Sequence, residues 1–341
     1  KLIFYTFHKL IKGYPMKKLL ILNLLYFVFY THNIVYCQNN FIYVPASITI
    51  RCNELNKNGE ATGIIKKDII TYGVDNQGNI TTYSYKHNGN KKDIYYSYEG
   101  PGNKLSEIYE YENGRKNPTR KEKYSYDELG RCIKKIIELG LDGKFKVYDT
   151  TFSYDNKNNI ILKTHDTGKI VFNYNSVSKL TEETSYTKEN NKWLKNKTTI
   201  YEYDKKGKLL VESTKILIDN KWIDNERCTY KYDKLGNRIY ELYESVGFGD
   251  DSELEEQSYI NYKYDKHGKN LIQEDWFSFV SDNTITRYFE YDKRGLLVKV
   301  NVKSKLKQSG EIQPYWIFLF GNTYEGFQAD IDYFEIPTEN N

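Results

Sequence analysis

The chain has 341 residues and carries 50 Lys and Arg against 46 Asp and Glu, a net charge of +4. This near balance argues against a protein that binds nucleic acid through a basic field, and we expect no nucleic-acid partner. Aromatic residues make up 16% of the chain, 34 of them Tyr, which excludes an intrinsically disordered chain. Because the aliphatic residues are few, tyrosine is expected to supply much of the buried surface.

The N-terminal region has the layout of a secretory signal peptide. Met16 is followed by two lysines, by an apolar run from Leu19 to Phe29 and by a short polar stretch. This order is typical of a signal peptide, so residues 16–37 are predicted to be cleaved off before Gln38, and residues 1–15 to be translated upstream sequence. The apolar run is shorter than a membrane-spanning helix requires; an uncleaved membrane anchor is the alternative.

An exported protein is therefore expected: secreted, at the cell surface or in the periplasm, with no membrane span in the mature chain. A lipoprotein acylated at Cys37 is an alternative, although Tyr36 is bulky where such signals carry a small residue. The mature chain keeps Cys52, Cys132 and Cys228, whose spacing matches no zinc site. They are predicted to be buried thiols in strands, with one long-range disulfide as the alternative.

A repeated motif, aromatic-x-Tyr-Asp-x-x-Gly, is the strongest signal in the chain. Aromatic residues at i and i+2 point to the same face of a strand, the Asp carboxylate can cap a turn, and glycine accepts a positive φ without steric cost. Each copy therefore predicts the end of a strand and its hairpin turn. The second tyrosines of the complete copies are Tyr126, Tyr203, Tyr232, Tyr264 and Tyr291, and those of the degenerate copies are Tyr85, Tyr98, Tyr111, Tyr154 and Tyr174.

The spacing of the copies predicts the order of the strands. These tyrosines are 13 to 15 residues apart up to Tyr126 and mostly 27 to 32 residues apart beyond it. The short step fits one strand with its turn and the long step fits two, so early copies mark every strand and later copies every second strand. Trp193-x-x-Asn196 and Trp222-x-x-Asn225 each begin ten residues before such a tyrosine. Each Trp is thus predicted to start a strand, just after the opposite turn.

The predicted fold class is all-β: a long antiparallel meander of hairpin repeats, about 20 strands without a helix between residues 41 and 335. Open twisted sheets rarely exceed about ten strands without curling, so we expect a large curled or superhelical sheet with Tyr, Val, Ile and Leu on its inner face. Residues 81–303 are assigned to the repeats. Because repeat folds need caps, residues 38–80 are assigned to N-terminal cap strands and residues 304–341, which include the apolar segment 314–320, to C-terminal cap strands.

The series of Tyr-x-Tyr-Asp-x-x-Gly copies resembles the YD repeats of RHS-type proteins, which many bacteria export. The resemblance covers roughly residues 81–303. It implies large coiling β-sheets that form shells or surface-exposed stalks, with carbohydrate binding, cell-surface contact and, in long members, toxin encapsulation. No toxin-like domain follows the repeats, which argues against a cargo, and the Trp-x-x-Asn addition suggests a secreted, repeat-only subgroup. The hairpins are also weakly similar to MORN-type repeats.

No catalytic motif accompanies the repeat. The sequence contains no nucleophile elbow, zinc-protease motif, phosphate loop or dinucleotide fingerprint, so we expect no enzymatic activity, no cofactor and no metal. The Asp residues before the turn glycines are predicted to cap their turns, with calcium binding as the alternative. The acidic run 249–256 is predicted to be a solvated loop, with a cation site as the alternative.

Aromatic rings beside polar groups can stack sugar rings, and this chemistry selects the candidate ligand-binding residues. The two tryptophans are the stronger candidates, because they lie at strand starts near turns; packing in the core is the alternative for all. The candidates are Trp193, Trp222, Tyr201, Tyr203, Tyr230 and Tyr232. The predicted function is a non-enzymatic exported module that contacts an extracellular or envelope glycan or protein. The alternatives are a purely structural envelope or matrix component and a glycan hydrolase, which needs paired carboxylates.

Overall fold

A computed structural model describes residues 36–38, 41–55, 61–87, 90–141, 144–246, 253–279, 283–305 and 323–337. Their regular structure is entirely β, with 21 strands and no helix in these ranges. The described part of the chain therefore has no helix long and apolar enough to cross a membrane. The predicted upstream sequence, nearly all of the predicted signal peptide, the segment 314–320 and residues 249–252 of the acidic run lie outside the described residues.

The strands are β1 Tyr36–Gln38, β2 Phe41–Leu55, β3 Ala61–Val74, β4 Ile80–His87, β5 Asn90–Glu99, β6 Lys104–Glu112, β7 Arg120–Tyr126, β8 Cys132–Leu141, β9 Lys144–Tyr154, β10 Ile160–His165, β11 Gly168–Tyr174, β12 Leu180–Glu189, β13 Lys192–Tyr203, β14 Leu209–Ile218, β15 Lys221–Tyr232, β16 Arg238–Val246, β17 Leu254–Tyr264, β18 Leu271–Ser278, β19 Asn283–Tyr291, β20 Leu297–Lys305 and β21 Thr323–Pro337.

The chain forms two compact units, of which the larger comprises Thr81–Ser84 and Gly89–Asp282 and is called here the meander unit. Within it, every strand from β5 to β17 pairs antiparallel with the next strand in sequence. The predicted all-β class and antiparallel meander are confirmed. The repeat tyrosines end β5, β6 and β7 and then every second strand, so the strand order read from their spacing is also confirmed.

The other unit, called the terminal unit, comprises Lys1–Ile80, Tyr85–Asn88 and Asn283–Asn341. Here β2 pairs with β3 on one side and with β21 on the other, and β21 also pairs with β20. The β2–β21 register places Phe41 opposite Pro337. The two predicted cap segments therefore contribute neighbouring strands, a pairing that a local repeat pattern does not predict.

The buried apolar core lies mainly in the terminal unit. Of the eleven buried hydrophobic side chains among the described residues, nine belong to this unit, with Ile70 and Leu296 fully buried. The meander unit contributes Tyr230 and Leu271. Most of its repeat tyrosines are only half-buried, so a buried tyrosine core is not what holds the meander together.

The Asp carboxylates close the repeat turns, as predicted. Oδ1 of Asp204 accepts backbone N–H bonds from Lys206 and Lys208, both at 2.8 Å, and the N–H of Lys208 holds the pKa of Asp204 below its ordinary value. The turn glycines have a positive φ, which is 79° at Gly207. In one repeat Asn158 takes the place of the glycine, with a φ of 66°. The same pair of bonds is accepted by Asp75, Asp155, Asn175, Asp265 and Asp292.

The second tyrosine of each repeat bonds to the preceding repeat. The Tyr203 hydroxyl donates to the carbonyl oxygen of Leu180 at 2.7 Å. Leu180 pairs in turn with Tyr174, which is the equivalent tyrosine one repeat earlier; the register between the two strands shifts at this pair. We call this series of bonds the tyrosine ladder and its side of the sheet the ladder face. The other donors are Tyr126, Tyr154, Tyr174, Tyr232 and Tyr264, which bond to the carbonyls of Leu105, Cys132, Ile160, Leu209 and Arg238.

Removing one hydroxyl group tests the ladder. Tyr203→Phe keeps the ring but leaves the Leu180 carbonyl without this donor, so we expect the free energy of unfolding to fall by about 1 kcal/mol in denaturant unfolding. Tyr201→Phe is the matched control, because the Tyr201 hydroxyl has no hydrogen-bond partner in the described part of the chain. Equal stabilities of the two variants would contradict a contribution from the ladder bond.

Candidate binding surface

Two β-bulges place the tryptophans on the face opposite the tyrosine ladder. Asn196 in β13 and Asn225 in β15 are each an extra residue where the register against the preceding strand shifts. An extra residue inverts the alternation of side chains along a strand. Trp193 and Tyr203 therefore point to opposite faces, although an even number of positions separates them. The Asn of each Trp-x-x-Asn motif is thus the bulge residue.

The four tyrosines predicted to bind a ligand lie on the ladder face. Tyr203 and Tyr232 are ladder donors. Burial raises the pKa of the Tyr201 and Tyr230 hydroxyls, and Tyr230 is only 8% exposed. The Arg238 guanidinium carbon lies 4.3 Å from the Tyr230 ring centre. These contacts give Tyr203, Tyr232 and Tyr230 a role in holding the sheet.

The two predicted tryptophans lie on the other face, each beside lysine side chains. Trp193 is half-buried, with the Nζ atoms of Lys169 and Lys188 at 5.2 and 5.7 Å from its ring centre. Trp222 is 41% exposed, and Lys195 Nζ lies 5.2 Å from its ring. Such distances are typical of cation–π contacts. The six predicted residues therefore do not come together in one site.

An open cleft of about 380 Å³ lies at one edge of the meander unit. It is lined by Asp93 and Tyr95 of β5, by Tyr111 of β6, and by Gly114 and Arg115 of the turn that follows. Asp93 and Tyr111 are directly paired across the two strands, and the rings of Tyr95 and Tyr111 meet edge to face at 5.6 Å. The volume lies in the range of small-molecule sites.

Fixed charges surround the two rings of the cleft. Asp93 accepts a hydrogen bond from the Ser84 hydroxyl at 2.6 Å and pairs with Lys91 at 2.9 Å, and this contact raises the pKa of Lys91. The Arg115 side chain is exposed and forms no ion pair within the part of the chain that the structure describes. Tyr95 is 46% exposed. The cleft thus offers the exposed ring of Tyr95, the carboxylate of Asp93, which Ser84 and Lys91 hold in place, and the Arg115 guanidinium group, which has no ion-pair partner among the described residues.

A second aromatic group, on β16 to β18, also lies opposite the ladder face. Tyr259 stacks against Tyr240 and Phe277, with ring centres 6.0 and 5.2 Å apart, and Phe279 meets Tyr259 at 5.7 Å. Lys231 pairs with Tyr240, and its Nζ lies 4.6 Å from the centre of that ring. In the sequence, Lys231 stands between Tyr230 and Tyr232, which both lie on the ladder face. Alternation along β15 therefore assigns this cluster to the tryptophan face.

Sequence reasoning missed the cleft and the second aromatic group. The repeat pattern predicts an ordinary copy at Tyr109 and Tyr111. However, β6 pairs Tyr109 with Tyr95 rather than with Tyr96, so this copy faces away from the ladder. The useful signal was an aromatic residue directly next to a repeat tyrosine, as Tyr95 is next to Tyr96. Neighbouring residues of a strand point to opposite faces, so such a pair indicates aromatic rings on both sides.

Carboxyl groups also lie close together on the ladder face. Burial raises the pKa of Glu212, as do the negative charges of Glu183, Glu226 and Glu241, while Lys197 opposes the shift. A carboxyl pKa above its ordinary value is one property of a general acid. The glycan-hydrolase alternative therefore stays a prediction, and this row of glutamates is where its acid would lie.

The described cysteine side chains are thiols. Cys132 and Cys228 form no disulfide, and burial raises the pKa of both, to about 11 for Cys228. A raised pKa suppresses the reactive thiolate. The side chain of Cys52 lies outside the described residues.

No protein-family model matches the chain, and no curated protein matches it in sequence. Among solved structures it is similar to TcdB2-TccC3-Cdc42, with 15% identity over 84% of this chain and 17% of that chain and a TM-score of 0.30. It is also similar to a porin-like protein from Bacteroides uniformis ATCC 8492, with 12% identity over 85% of this chain and 98% of that chain and a TM-score of 0.33. At these TM-scores the likeness supports no conclusion about function.

Proposed function

We propose that the chain is an exported, non-enzymatic β-repeat protein that binds carbohydrate at the cleft of Asp93, Tyr95, Tyr111 and Arg115. The observation that carries the proposal is the exposed Tyr95 ring beside a held carboxylate and an unpaired guanidinium group. Export is inferred from the signal-peptide pattern of residues 16–37. The resemblance to YD repeats of RHS-type proteins supports a role in contact with extracellular or envelope glycans.

Sugar recognition follows from the chemistry of the cleft. A pyranose ring has an apolar C–H face, which an exposed aromatic ring can stack against, and a rim of hydroxyl groups, which need donors and acceptors. The Tyr95 ring supplies the stacking surface. Asp93 Oδ atoms accept hydrogen bonds from sugar hydroxyls, and the Arg115 guanidinium group donates to sugar oxygens.

The division between the two faces supports the same conclusion. Ladder-face tyrosines use their hydroxyls to bond neighbouring strands, so their replacement changes the sheet itself. Among the residues that the structure describes, the cleft side chains contact Ser84, Lys91 and one another. Binding can therefore be altered there without loss of the strand pairing that supports it.

Glycan binding by the full chain, followed by calorimetry with the ligand found, tests the proposal. We expect Tyr95→Ala to weaken binding about tenfold, because one stacking contact is lost, with an unchanged melting temperature. Tyr148→Ala is the matched control, since Tyr148 is 39% exposed and lies outside the cleft. Binding to no glycan would contradict the function, and binding that survives Tyr95→Ala would contradict the site. Self-association without glycan binding would favour the structural alternative.

A further inference from the structure

The third residue of the repeat turns alternates between an aliphatic and a basic side chain along one edge of the meander unit. All six of these residues are exposed. The three aliphatic ones are 74%, 70% and 72% exposed, the highest values among the exposed large hydrophobic residues that the structure describes. In order along the edge, the six residues are Leu129, Lys157, Val177, Lys206, Leu235 and His267.

These turns form a continuous row. Every second connection of a meander lies on the same edge, so neighbouring turns are two strands apart, about 9.5 Å. Consecutive turns also bond to each other: Lys157 Nζ donates to the Ser176 carbonyl at 2.8 Å, and Lys179 Nζ donates to the Gly207 carbonyl at 2.6 Å. Arg131 donates in the same way to the Asn158 side chain at 3.0 Å, and Asn237 to the Gly268 carbonyl at 2.9 Å. We call residues 127–131, 155–159, 175–179, 204–208, 233–237 and 265–269 the turn row.

The later part of the turn row carries an excess of positive charge. From residue 175 onward its turns hold seven lysines and three aspartates, a net charge of +4 with His267 neutral. The aspartates accept backbone N–H bonds inside their own turns. The exposed lysines that form no ion pair among the described residues are Lys205, Lys206, Lys234, Lys266 and Lys269.

Two hairpins at the opposite edge lack this excess. Residues 189–192 and 218–221 each carry one acidic and one basic residue. Their two central residues have positive φ values, between 48° and 63°, and are Asn or Asp. Protruding aliphatic tips beside lysines that form no ion pair among the described residues are therefore found in the turn row and not in these two hairpins.

We propose that the turn row docks on the surface of an anionic lipid bilayer. Aliphatic side chains at the tips of turns gain free energy by entering the interface between headgroups and acyl chains, while lysines are attracted to anionic headgroups. An acidic polysaccharide would satisfy the lysines but would leave Leu129, Val177 and Leu235 in water. The alternation of the two side-chain types along one row thus favours lipid. This surface is separate from the glycan cleft, and the proposal does not depend on it.

Vesicle flotation with the full chain tests the docking. The probes are vesicles of phosphatidylcholine alone and of phosphatidylcholine mixed with phosphatidylglycerol. We expect binding to the mixed vesicles that weakens as salt is added. L129S/V177S/L235S and K206E/K234E/K266E are each expected to reduce binding at least about tenfold, and K192E/K221E, at the opposite edge, is expected to leave it unchanged. Melting temperatures equal to that of the parent chain exclude misfolding as the cause.

Three outcomes would overturn the proposal. The first is that the parent chain fails to bind the mixed vesicles. The second is that K192E/K221E loses as much binding as the turn-row variant, which would indicate non-specific charge attraction. The third is that the serine variant binds like the parent while the glutamate variant does not, together with parent binding to heparin, which would assign the lysines to an acidic polysaccharide instead.

Discussion

Glu122→Ala is expected to lower the free energy of unfolding by about 3 kcal/mol. Glu122 is only 5% exposed. Its carboxylate pairs with Lys135 at 2.7 Å and with Arg120, and it accepts a hydrogen bond from the Tyr124 hydroxyl. Its removal leaves two cations on neighbouring strands without their shared anion, and the hydroxyl without its acceptor. Denaturant unfolding measures the loss, and a loss below about 1 kcal/mol, the range of surface ion pairs, would contradict it.

The same network predicts a pH dependence. Burial opposes the ionisation of Glu122, but hydrogen bonds from Lys135 and Tyr124 and the charge of Arg120 outweigh it and hold the pKa of Glu122 below its ordinary value of 4.5. Because the folded-state pKa is the lower one, this stabilisation is present above pH 4.5 and is lost as the pH falls through the folded-state pKa. The stability difference between the parent chain and Glu122→Gln should therefore shrink on acidification.

Stability curves at neutral and acidic pH measure this difference. Glu128→Gln, at an exposed turn position, is the matched control and should change stability little at either pH. A difference between the parent chain and Glu122→Gln that stays constant from neutral to acidic pH would contradict the proposed role of the ionised carboxylate.

Gly207→Val is expected to lower the free energy of unfolding by about 2–3 kcal/mol, because a β-branched residue is strained at positive φ. Gly207 has a φ of 79°. A Cβ atom there would also lie 2.5 Å from the side chain of Lys179, whose ammonium group bonds to the Gly207 carbonyl. The substitution therefore strains the turn and disturbs its contact with the preceding one.

Gly207→Asn is the matched control, and its expected loss is less than half that of the valine variant. Asparagine tolerates the left-handed region, and Asn158 already occupies the equivalent place in another repeat at a φ of 66°. Thermal unfolding of both variants separates backbone strain from crowding. Equal losses would show that the φ requirement is not what places glycine in these turns.

The repeat pattern was sufficient to predict the strands and turns of the meander. The period of two between repeat tyrosines, the Asp before the turn and the glycine at positive φ are local requirements, and each is visible in a seven-residue window. The pairing of β2 with β21 was not predictable in this way, because Phe41 and Pro337 lie outside any repeat and their pairing depends on the path of the whole chain.

The distribution of side chains between the two faces was harder to predict than the strands. A register shift of one residue places every later side chain of a strand on the other face. The bulges at Asn196 and Asn225 introduce such a shift into strands that otherwise alternate regularly. Trp193 and Tyr203, both candidate ligand-binding residues by their chemistry, therefore face opposite sides of the sheet. The cleft was missed because Tyr111 belongs to a repeat copy whose register places it opposite Asp93.

One set of tyrosines bonds the strands of the sheet together, and we propose that the opposite face binds the ligand. The most direct test measures glycan affinity and melting temperature together for Tyr95→Ala and Tyr203→Phe. We predict that Tyr95→Ala loses affinity and keeps its melting temperature, while Tyr203→Phe keeps its affinity and melts at a lower temperature. Loss of affinity in Tyr203→Phe, with binding intact in Tyr95→Ala, would contradict this division of roles.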